Sequence, residues 1–245
     1  IKDIIVSFSG EQISSINSTG SVIIRQKEVT ARDVQSALNM SSTLKVPNDK
    51  TLLFVSPNEY IIDGQPGIAQ PIGMNGVRLE AKSHLIYCSQ NTKENISKCI
   101  EELNDLRIKK FYYNQLGAAE SVLTKDQREL GVCLLDIGAG TTDLTIYKGG
   151  SIRFSKVFPY AGDFITETIA TSLKITSTQA EEVKKKYGCA ILDSDFQDSL
   201  RVIGNNGNRD KEISRKALSE VIEKSLTRII RHCAICVEDN GMLSS

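Results

Sequence analysis

The residues with the clearest chemical potential lie in one short segment. From Val132 an apolar run ends at Asp136, a Gly-rich turn with Thr141 and Thr142 follows, and Asp143 begins the next apolar run. This pattern predicts a buried strand, a tight loop and a returning strand. Glycines let backbone N–H groups converge on an anion, and threonine hydroxyls add donors. A carboxylate at a strand end can hold Mg²⁺ through its water shell, because Mg²⁺ prefers one or two carboxylates together with phosphate oxygens.

An ordinary Gly-rich hairpin turn is the alternative interpretation of this segment. It explains Gly138 and Gly140 but not the two flanking acids and the two threonines, so the segment favours a nucleotide phosphate. The segment lacks the lysine of a Walker loop. It also leads into a second strand, whereas a dinucleotide-binding fingerprint opens a helix.

The composition limits the classes of protein that fit this chain. Its 245 residues are 40% hydrophobic, enough for one large or two ordinary domains with real cores. Lys+Arg and Asp+Glu each number 30, so a nucleic-acid partner has no electrostatic support. The sequence shows neither an apolar run of the ~18 residues that a membrane span needs nor a signal-peptide pattern. Because the chain starts in mid-strand without Met, we expect an excised piece.

The cysteines and histidines do not predict a metal or redox site. Six cysteines are scattered through the chain, several in apolar patterns that are typical of reduced core thiols. Cys233 and Cys236 form a lone C-x-x-C inside a helical pattern, which is poor support for zinc or redox chemistry. With only His84 and His232, a His-based catalytic site is poorly supported.

Hydrophobic periodicity predicts the elements that position the loop. Strands are predicted over residues 4–8, 21–25, 52–55, 59–63, 77–88, 108–113, 132–137, 143–148 and 151–158. Helices are predicted over 31–44 after a capping box at Thr30 and Asp33, and over 93–106, 117–123, 163–173, 178–186 and 215–238. The fold class is therefore α/β with α+β elements. Three consecutive antiparallel strands after a βα unit indicate a ribonuclease-H-like mixed sheet, and residues 1–87 form a small α+β unit.

Several segments together resemble a known family. The run at 136–143, Asp-Ile-Gly-Ala-Gly-Thr-Thr-Asp, is similar to the second phosphate loop of the actin, heat-shock chaperone and sugar kinase superfamily. The surrounding segments narrow the match: 57–60 (Pro-Asn-Glu-Tyr), 71–78, 81–85, 130–133 and 156–162. Together they resemble the FtsA family of bacterial cell-division proteins over most of the chain.

The resemblance implies an actin-like fold with a defined domain order. Its boundaries are an inserted subdomain 1C at 1–87, the second part of subdomain 1A at 88–130, subdomain 2A strands with the phosphate loop at 131–158, subdomain 2B at 159–230, and a return into 2A at 231–245.

The resemblance also implies site residues for ATP and Mg²⁺. Asp136 would hold Mg²⁺ through water or position the attacking water, and Gly138, Ala139, Gly140, Thr141 and Thr142 would cradle the phosphates. Asp143 would contribute to binding or cap the turn through its own hydrogen bonds, and both interpretations stay open. Gly162 and Asp163 would open a helix whose N–H groups face the anion. Glu181 and Lys184 would contact ribose and adenine, the alternative being a solvated ion pair.

Hydrolysis is expected to be slow at best. Asn114 or Gln115 lies where related actin-like proteins orient the attacking water, but an amide is a poor base. Whether the full-length protein is an enzyme stays open. The alternatives to a division adaptor are another actin-superfamily ATPase or phosphotransferase, and a nucleotide-free pilus-type adaptor.

The implied partners follow from the family. Residues 159–230 would dock the C-terminal tail of the ring protein FtsZ, with Arg201, Arg209, Lys211 and Arg215 as candidate contacts from charge alone. The protein would self-associate into filaments, and residues 1–87 would meet other division proteins. It would be cytoplasmic, at the inner face of the cell membrane at the division site. Membrane attachment would use a C-terminal amphipathic helix that these residues lack.

Overall fold

The computed structural model describes residues 2–43, 49–102, 106–191, 199–202 and 210–242. The chain divides into two compact units. The first unit comprises residues 1–136 and 143–158, and the second comprises residues 137–142 and 159–245.

The first unit contains most of the strands. Its elements are β1 (Asp3–Phe8), β2 (Ser14–Ile23), α1 (Ala31–Thr43), β3 (Lys50–Ile62), β4 (Gln65–Ile68), β5 (Arg78–Ser89), α2 (Gln90–Glu101), β6 (Arg107–Tyr113), α3 (Asn114–Val122), α4 (Lys125–Leu130), β7 (Val132–Ile137), β8 (Thr142–Lys148) and β9 (Ser151–Phe158). The last residue of β7 and the first of β8 belong to the second unit. That unit continues with α5 (Gly162–Leu173), α6 (Ser177–Tyr187), β10 (Ser199–Val202), β11 (Lys211–Ser214) and α7 (Arg215–Asp239).

A four-stranded antiparallel sheet in the order β2-β5-β3-β4 forms the first part of the first unit. Helix α1 begins after the predicted capping box, in which the Thr30 N–H donates to the Asp33 carboxylate over 2.9 Å. The helix packs so closely on β2 that a Cβ at Gly20 would lie 2.1 Å from the Ala37 carbonyl oxygen. The core between them contains Ile24, Val29, Ala37, Tyr60, Ile62, Leu79 and Ala81.

Two further sheets complete the first unit. Strands β1 and β6 pair in parallel, and β7, β8 and β9 form a separate three-stranded sheet in that order. The two-residue connection Gly149–Gly150, with both φ angles positive, makes β8 and β9 an antiparallel hairpin. Parallel and antiparallel pairing therefore occur in different sheets. Their core contains Phe8, Ile13, Ile86, Cys88, Tyr113, Ala119, Tyr147 and Ile152.

The second unit is mainly helical. Helix α5 packs against α6 and α7, and the short ribbon β10–β11 precedes α7. Helix α7 corresponds to the helix predicted over 215–238, and its buried face carries Leu218, Ile222, Ile229, Cys233 and Val237. Across the described ranges, no helix is long and apolar enough to cross a membrane.

Most predicted elements are confirmed, and several details are wrong. The strand predicted over 21–25 is β2, which begins at Ser14 and ends at Ile23. The two predicted strands at 52–55 and 59–63 are one strand, β3, whose register shifts at Leu52/Phe54 and at Pro57/Glu59 absorb the proline. Strand β4 interrupts the predicted loop at 64–76, and α4 is an additional helix. The capping box of α6 is formed by Thr176 and Gln179, whereas the sequence pattern predicts it two residues later, at Thr178 and Glu181. The helix residues Leu44 and Leu103, and most of the polar stretch 193–209, lie outside the described residues.

Candidate functional site

The predicted phosphate loop is a closed turn in the second unit. The Gly138 N–H donates to the Thr141 carbonyl over 2.9 Å. The Gly162 N–H donates to the Gly138 carbonyl over 3.0 Å, and the Asp163 N–H donates to the Ala139 carbonyl over 2.7 Å. The first turn of α5 therefore fixes the two carbonyl groups of the loop.

These bonds correct one part of the sequence prediction. The N–H groups of Gly162 and Asp163 do not face an anion, because the carbonyl oxygens of Gly138 and Ala139 already accept them. The backbone N–H groups of Ala139 and Gly140 remain as candidate donors to an anion. Within the described ranges, neither donates to a backbone carbonyl, and both residues are exposed. They are the donors that an anion at this loop would use.

The hydroxyl group of Thr142 is used in a hydrogen bond within the chain. Its side chain is fully buried, and its Oγ1 donates to the Tyr160 carbonyl over 2.6 Å. The single hydroxyl hydrogen is therefore not available to a phosphate in this arrangement. Thr141, which is half-buried, is the loop threonine nearer to solvent.

An added Cβ would be crowded at two glycines, Gly138 in the loop and Gly162 at the start of α5. A Cβ at Gly162 would lie 3.2 Å from the Gly138 oxygen and 3.6 Å from the Lys184 Nζ. A Cβ at Gly138 would lie 3.2 Å from the Thr141 oxygen. Ala139, in contrast, is exposed, so its methyl group is tolerated. Crowding by an added Cβ therefore falls at Gly138 and Gly162, and not at the exposed Ala139.

A cation from α6 meets the start of α5. The Lys184 Nζ donates to the Gly162 carbonyl over 3.0 Å and to the Thr166 Oγ1 over 2.7 Å, and it lies 2.6 Å from Glu181 Oε2. The Thr166 hydroxyl lies within bonding distance of both the Gly162 carbonyl and the Glu181 carboxylate and donates to one of them at a time. Glu181 and Lys184 are thus brought together with the helix that holds the loop.

The charges of Glu181 and Lys184 stabilise each other. Hydrogen bonds from Lys184, Thr166 and Lys185 lower the pKa of Glu181 to about 2. The ion pair that the sequence offered as the alternative to ribose contact is present. Lys184 is also committed to a backbone carbonyl, which the alternative did not predict.

Asp136 belongs to the first unit and is positioned by amides. The Gln115 Nε2 donates to Asp136 Oδ2 over 2.9 Å, and the Asn114 Nδ2 approaches the same oxygen at 3.4 Å. The Ser7 hydroxyl in turn donates to Asn114 Oδ1 over 2.8 Å. Gln115 is fully buried, and its Oε1 has no donor within the described part of the chain. The hydrogen bond from Gln115 orients the Asp136 carboxylate. The predicted role of Gln115 in orienting a water molecule stays a prediction.

Asp143 is buried in the first unit. Its side chain is 2% exposed, and its Oδ2 accepts a hydrogen bond from the Ser9 hydroxyl over 3.1 Å. Ser9 follows β1, so this bond connects the ends of β1 and β8. Burial favours the structural interpretation of Asp143 over direct contact with a ligand.

Three contributing residues were missed by sequence reasoning. Thr166 completes the Lys184 cluster, Ser9 holds Asp143, and Tyr160 accepts the Thr142 bond. Only Thr166 carries a sequence signal, because it stands four residues after Gly162 and therefore on the same helix face. The other two contacts depend on long-range packing.

The described residues contain no group of three or more His, Cys, Asp and Glu side chains that could hold a metal ion directly. A Mg²⁺ ion at Asp136 would need water and phosphate oxygens as its other ligands, which is the mode that this ion prefers. The single carboxylate fits that mode.

The candidate basic contacts have partners of their own. The Arg201 Nε donates to Asp210 Oδ2 over 2.8 Å, and the Lys211 Nζ donates to the Lys174 carbonyl over 3.2 Å at the end of α5. Arg215 is half-buried, and Arg209 lies outside the described residues. Of the described candidates, Arg201 and Lys211 are therefore already hydrogen-bonded within the chain.

The fold belongs to the actin-like class. The solved structure of the PilM-PilN type IV pilus biogenesis complex matches 98% of this chain and 59% of its own chain, with a TM-score of 0.63 at 14% identity. MreB5 of Spiroplasma citri bound to ADP matches 62% of this chain and 48% of its own, with a TM-score of 0.52 at 23% identity. At these identities the likeness shows the fold alone, and it confirms the predicted actin-like fold.

Sequence comparison gives the family. The family model "SHS2 domain inserted in FTSA" matches residues 10–87, and "Cell division protein FtsA" matches residues 133–241, together more than half of the chain. The cell division protein FtsA of Pseudomonas aeruginosa is 41% identical over 89% of this chain and 52% of that protein. The chain belongs to the FtsA family of cell-division proteins, as its motifs predict. It spans about half the length of the curated relatives it matches.

Proposed function

We propose that the chain is part of an actin-like division adaptor that binds ATP with Mg²⁺. The observation that carries this proposal is the loop at 138–142. The carbonyl groups of Gly138 and Ala139 accept bonds from α5, while the exposed residues Ala139 and Gly140 donate to no backbone carbonyl in the described ranges. Preorganised amides bind a phosphate without first giving up other bonds. The ADP-bound MreB5 structure shares the fold, which supports a nucleotide as the anion.

The loop, α6 and β7 carry the residues with proposed roles. In the second unit, Ala139, Gly140 and Thr141 would hold phosphate oxygens, and Glu181 and Lys184 would bind the nucleoside. In the first unit, Asp136, oriented by Gln115, would hold Mg²⁺ through water. The metal would neutralise phosphate charge. Since an amide is a poor base, ATP would act mainly as an assembly switch, with slow turnover at most.

Removing one amide donor tests the phosphate loop. In the full-length protein, Ala139→Pro eliminates the N–H and keeps the carbonyl that Asp163 binds, so the affinity for MgATP should fall about tenfold or more. Ala139→Gly keeps the donor and should bind within about threefold of wild type. Isothermal titration with MgATP measures both. Equal affinity in the two variants would sink the loop assignment, and no MgATP binding by the folded wild type would favour a nucleotide-free adaptor.

We further propose that the second unit, residues 159–230, docks the C-terminal tail of FtsZ. The full-length protein would assemble into filaments and attach through an amphipathic helix to the inner face of the membrane at the division site. Other division proteins would bind residues 1–87. The family membership supports these roles, because the curated relatives are cell division proteins.

Peptide titration tests the link to FtsZ. Fluorescence anisotropy of a labelled FtsZ C-terminal peptide should show saturable binding, with a Kd on the order of micromolar, or about −8 kcal/mol. A scrambled peptide of the same composition is the control. If a chain with native circular dichroism binds neither peptide, or both equally, docking at residues 159–230 is wrong.

A further inference from the structure

The four-stranded sheet of the first unit has one open edge beside α1. Strand β2 is the terminal strand and pairs on one side with β5, from Ser14 opposite Tyr87 to Ile23 opposite Arg78. No other strand in the described ranges pairs with β2. The outer side of a terminal strand presents unpaired N–H and C=O groups, which another extended chain can bind.

A groove runs along this edge at the last residues of β2. Its cavity volume is about 820 Å³, and its walls include Val22, Ile23, Arg25, Arg32, Ser36 and Met40. We call it the β2–α1 groove. Ile23 is 73% exposed and Met40 is 44% exposed, so two large apolar side chains face solvent beside the unpaired strand. The groove thus combines backbone hydrogen-bonding groups with apolar contact area.

The charge of the groove is positive. Arg25 and Arg32 are exposed, and neither forms an ion pair with a carboxylate in the described part of the chain. The one acid in the wall, Asp33, is already bonded to the N–H and the hydroxyl of Thr30. Those hydrogen bonds lower the pKa of Asp33, and the charges of Arg25 and Arg32 lower it further. One carboxylate facing two guanidinium groups leaves the wall with a net positive charge. A ligand with its own carboxylates would complement the two guanidinium groups.

A second copy of the chain is the weaker candidate for this edge. Pairing two β2 edges would bring two more guanidinium groups and would offer no free carboxylate from the groove walls. An acidic segment supplies the missing charge, and apolar side chains at alternate positions would contact Ile23 and Met40. Short extended peptides recognise sheet edges in this mode, with the backbone giving affinity and the side chains specificity.

We propose that the β2–α1 groove binds an extended acidic peptide segment of a partner protein, which adds as a strand to the edge of β2. The inference rests on the proposed use of residues 1–87 for partner proteins and does not depend on nucleotide binding.

A designed peptide tests the groove directly. The probe is a labelled nine-residue peptide that alternates glutamate and valine, and the same peptide N-methylated at alternate backbone positions is its control. The chain should bind the first peptide with shifts of the Ser21, Val22 and Ile23 amide signals in NMR, and the methylated peptide at least tenfold more weakly. Equal binding of both, or no saturable binding up to millimolar concentration, would overturn strand addition.

Reversing the charges of the groove is the second test of the proposal. Arg25→Glu with Arg32→Glu should weaken binding of the acidic peptide at least tenfold. Arg107→Glu, at a side chain that is 79% exposed on β6, should leave it unchanged. Equal loss in both variants would show a non-specific charge effect and would contradict the proposal.

A dimer in sedimentation that Ile23→Pro abolishes, without peptide binding, would assign the edge to a second copy. MgATP and FtsZ-peptide binding measured on the same samples separate failure of the groove from failure of the adaptor function.

Discussion

The Gly20→Ala variant is expected to lose the four-stranded sheet of the first unit. A Cβ at this position would lie 2.1 Å from the Ala37 oxygen and 2.4 Å from the Ser41 nitrogen, and both are backbone atoms of α1. Backbone cannot turn aside as a flexible side chain does, so α1 must move away from β2. Core overpacking of this kind costs about 3 kcal/mol or more.

Urea unfolding with hydrogen exchange measures this loss. Amides of β2 and β5 should lose protection in Gly20→Ala, because α1 packs on both strands. Gly117→Ala is the matched control: its added Cβ meets nothing within 4 Å and it lies in α3, where alanine should stabilise by about 0.5–1 kcal/mol. A Gly20→Ala protein that unfolds at the wild-type urea midpoint would show that α1 does not press on β2.

Lowering the pH from 6.5 to 4 is expected to destabilise the first unit through His84. This side chain is 1% exposed, and its ring nitrogens bond to Asn17 Oδ1 over 2.6 Å and to the Ser155 hydroxyl over 2.8 Å. Burial lowers the pKa of His84 from 6.5 to about 4. The ring therefore stays neutral in the folded chain at a pH where the unfolded chain has already taken up a proton.

The sign of this effect is fixed by proton linkage. Between pH 6.5 and 4 the unfolded state binds the extra proton, so the free energy of unfolding falls as the pH falls, by about 3 kcal/mol in total. Urea denaturation between pH 7 and 4.5 measures it, above the range where most carboxylates titrate. His84→Gln should remove the pH dependence, while His232→Gln, at the other and exposed histidine, should retain it. Retention in His84→Gln would rule out His84 as its source.

The sequence predicted elements well where one periodicity decided them. Strand β9 and the apolar face of α7 follow from local pattern, as does the loop between β7 and β8. The capping box of α6 was misplaced because the same motif fits twice, at Thr176 with Gln179 and at Thr178 with Glu181. Only tertiary structure decides between them, since Glu181 is already bonded to Lys184 and Thr166.

The residues of the candidate site could be predicted from the sequence, but most of the hydrogen bonds between them could not. The order of residue types from Val132 to Asp143 identified the loop, but nothing local indicates that Gly162 donates to Gly138, 24 positions earlier in the chain. The buried amide of Gln115 on Asp136 likewise joins α3 to β7 through packing. In helix α2 the apolar spacing correctly predicted a helix, but it did not predict burial, because none of the residues of α2 is buried.

Gly162 uses both of its backbone groups to link the phosphate loop to α6. Its N–H is bonded to the phosphate loop and its carbonyl to Lys184 of α6. Any displacement of α6 that stretches the Lys184 bond therefore pulls on the same residue that anchors Gly138, and movement of the loop reaches α6 by the same route. The loop and α6, far apart in sequence, are consequently joined through the N–H and the carbonyl of a single glycine.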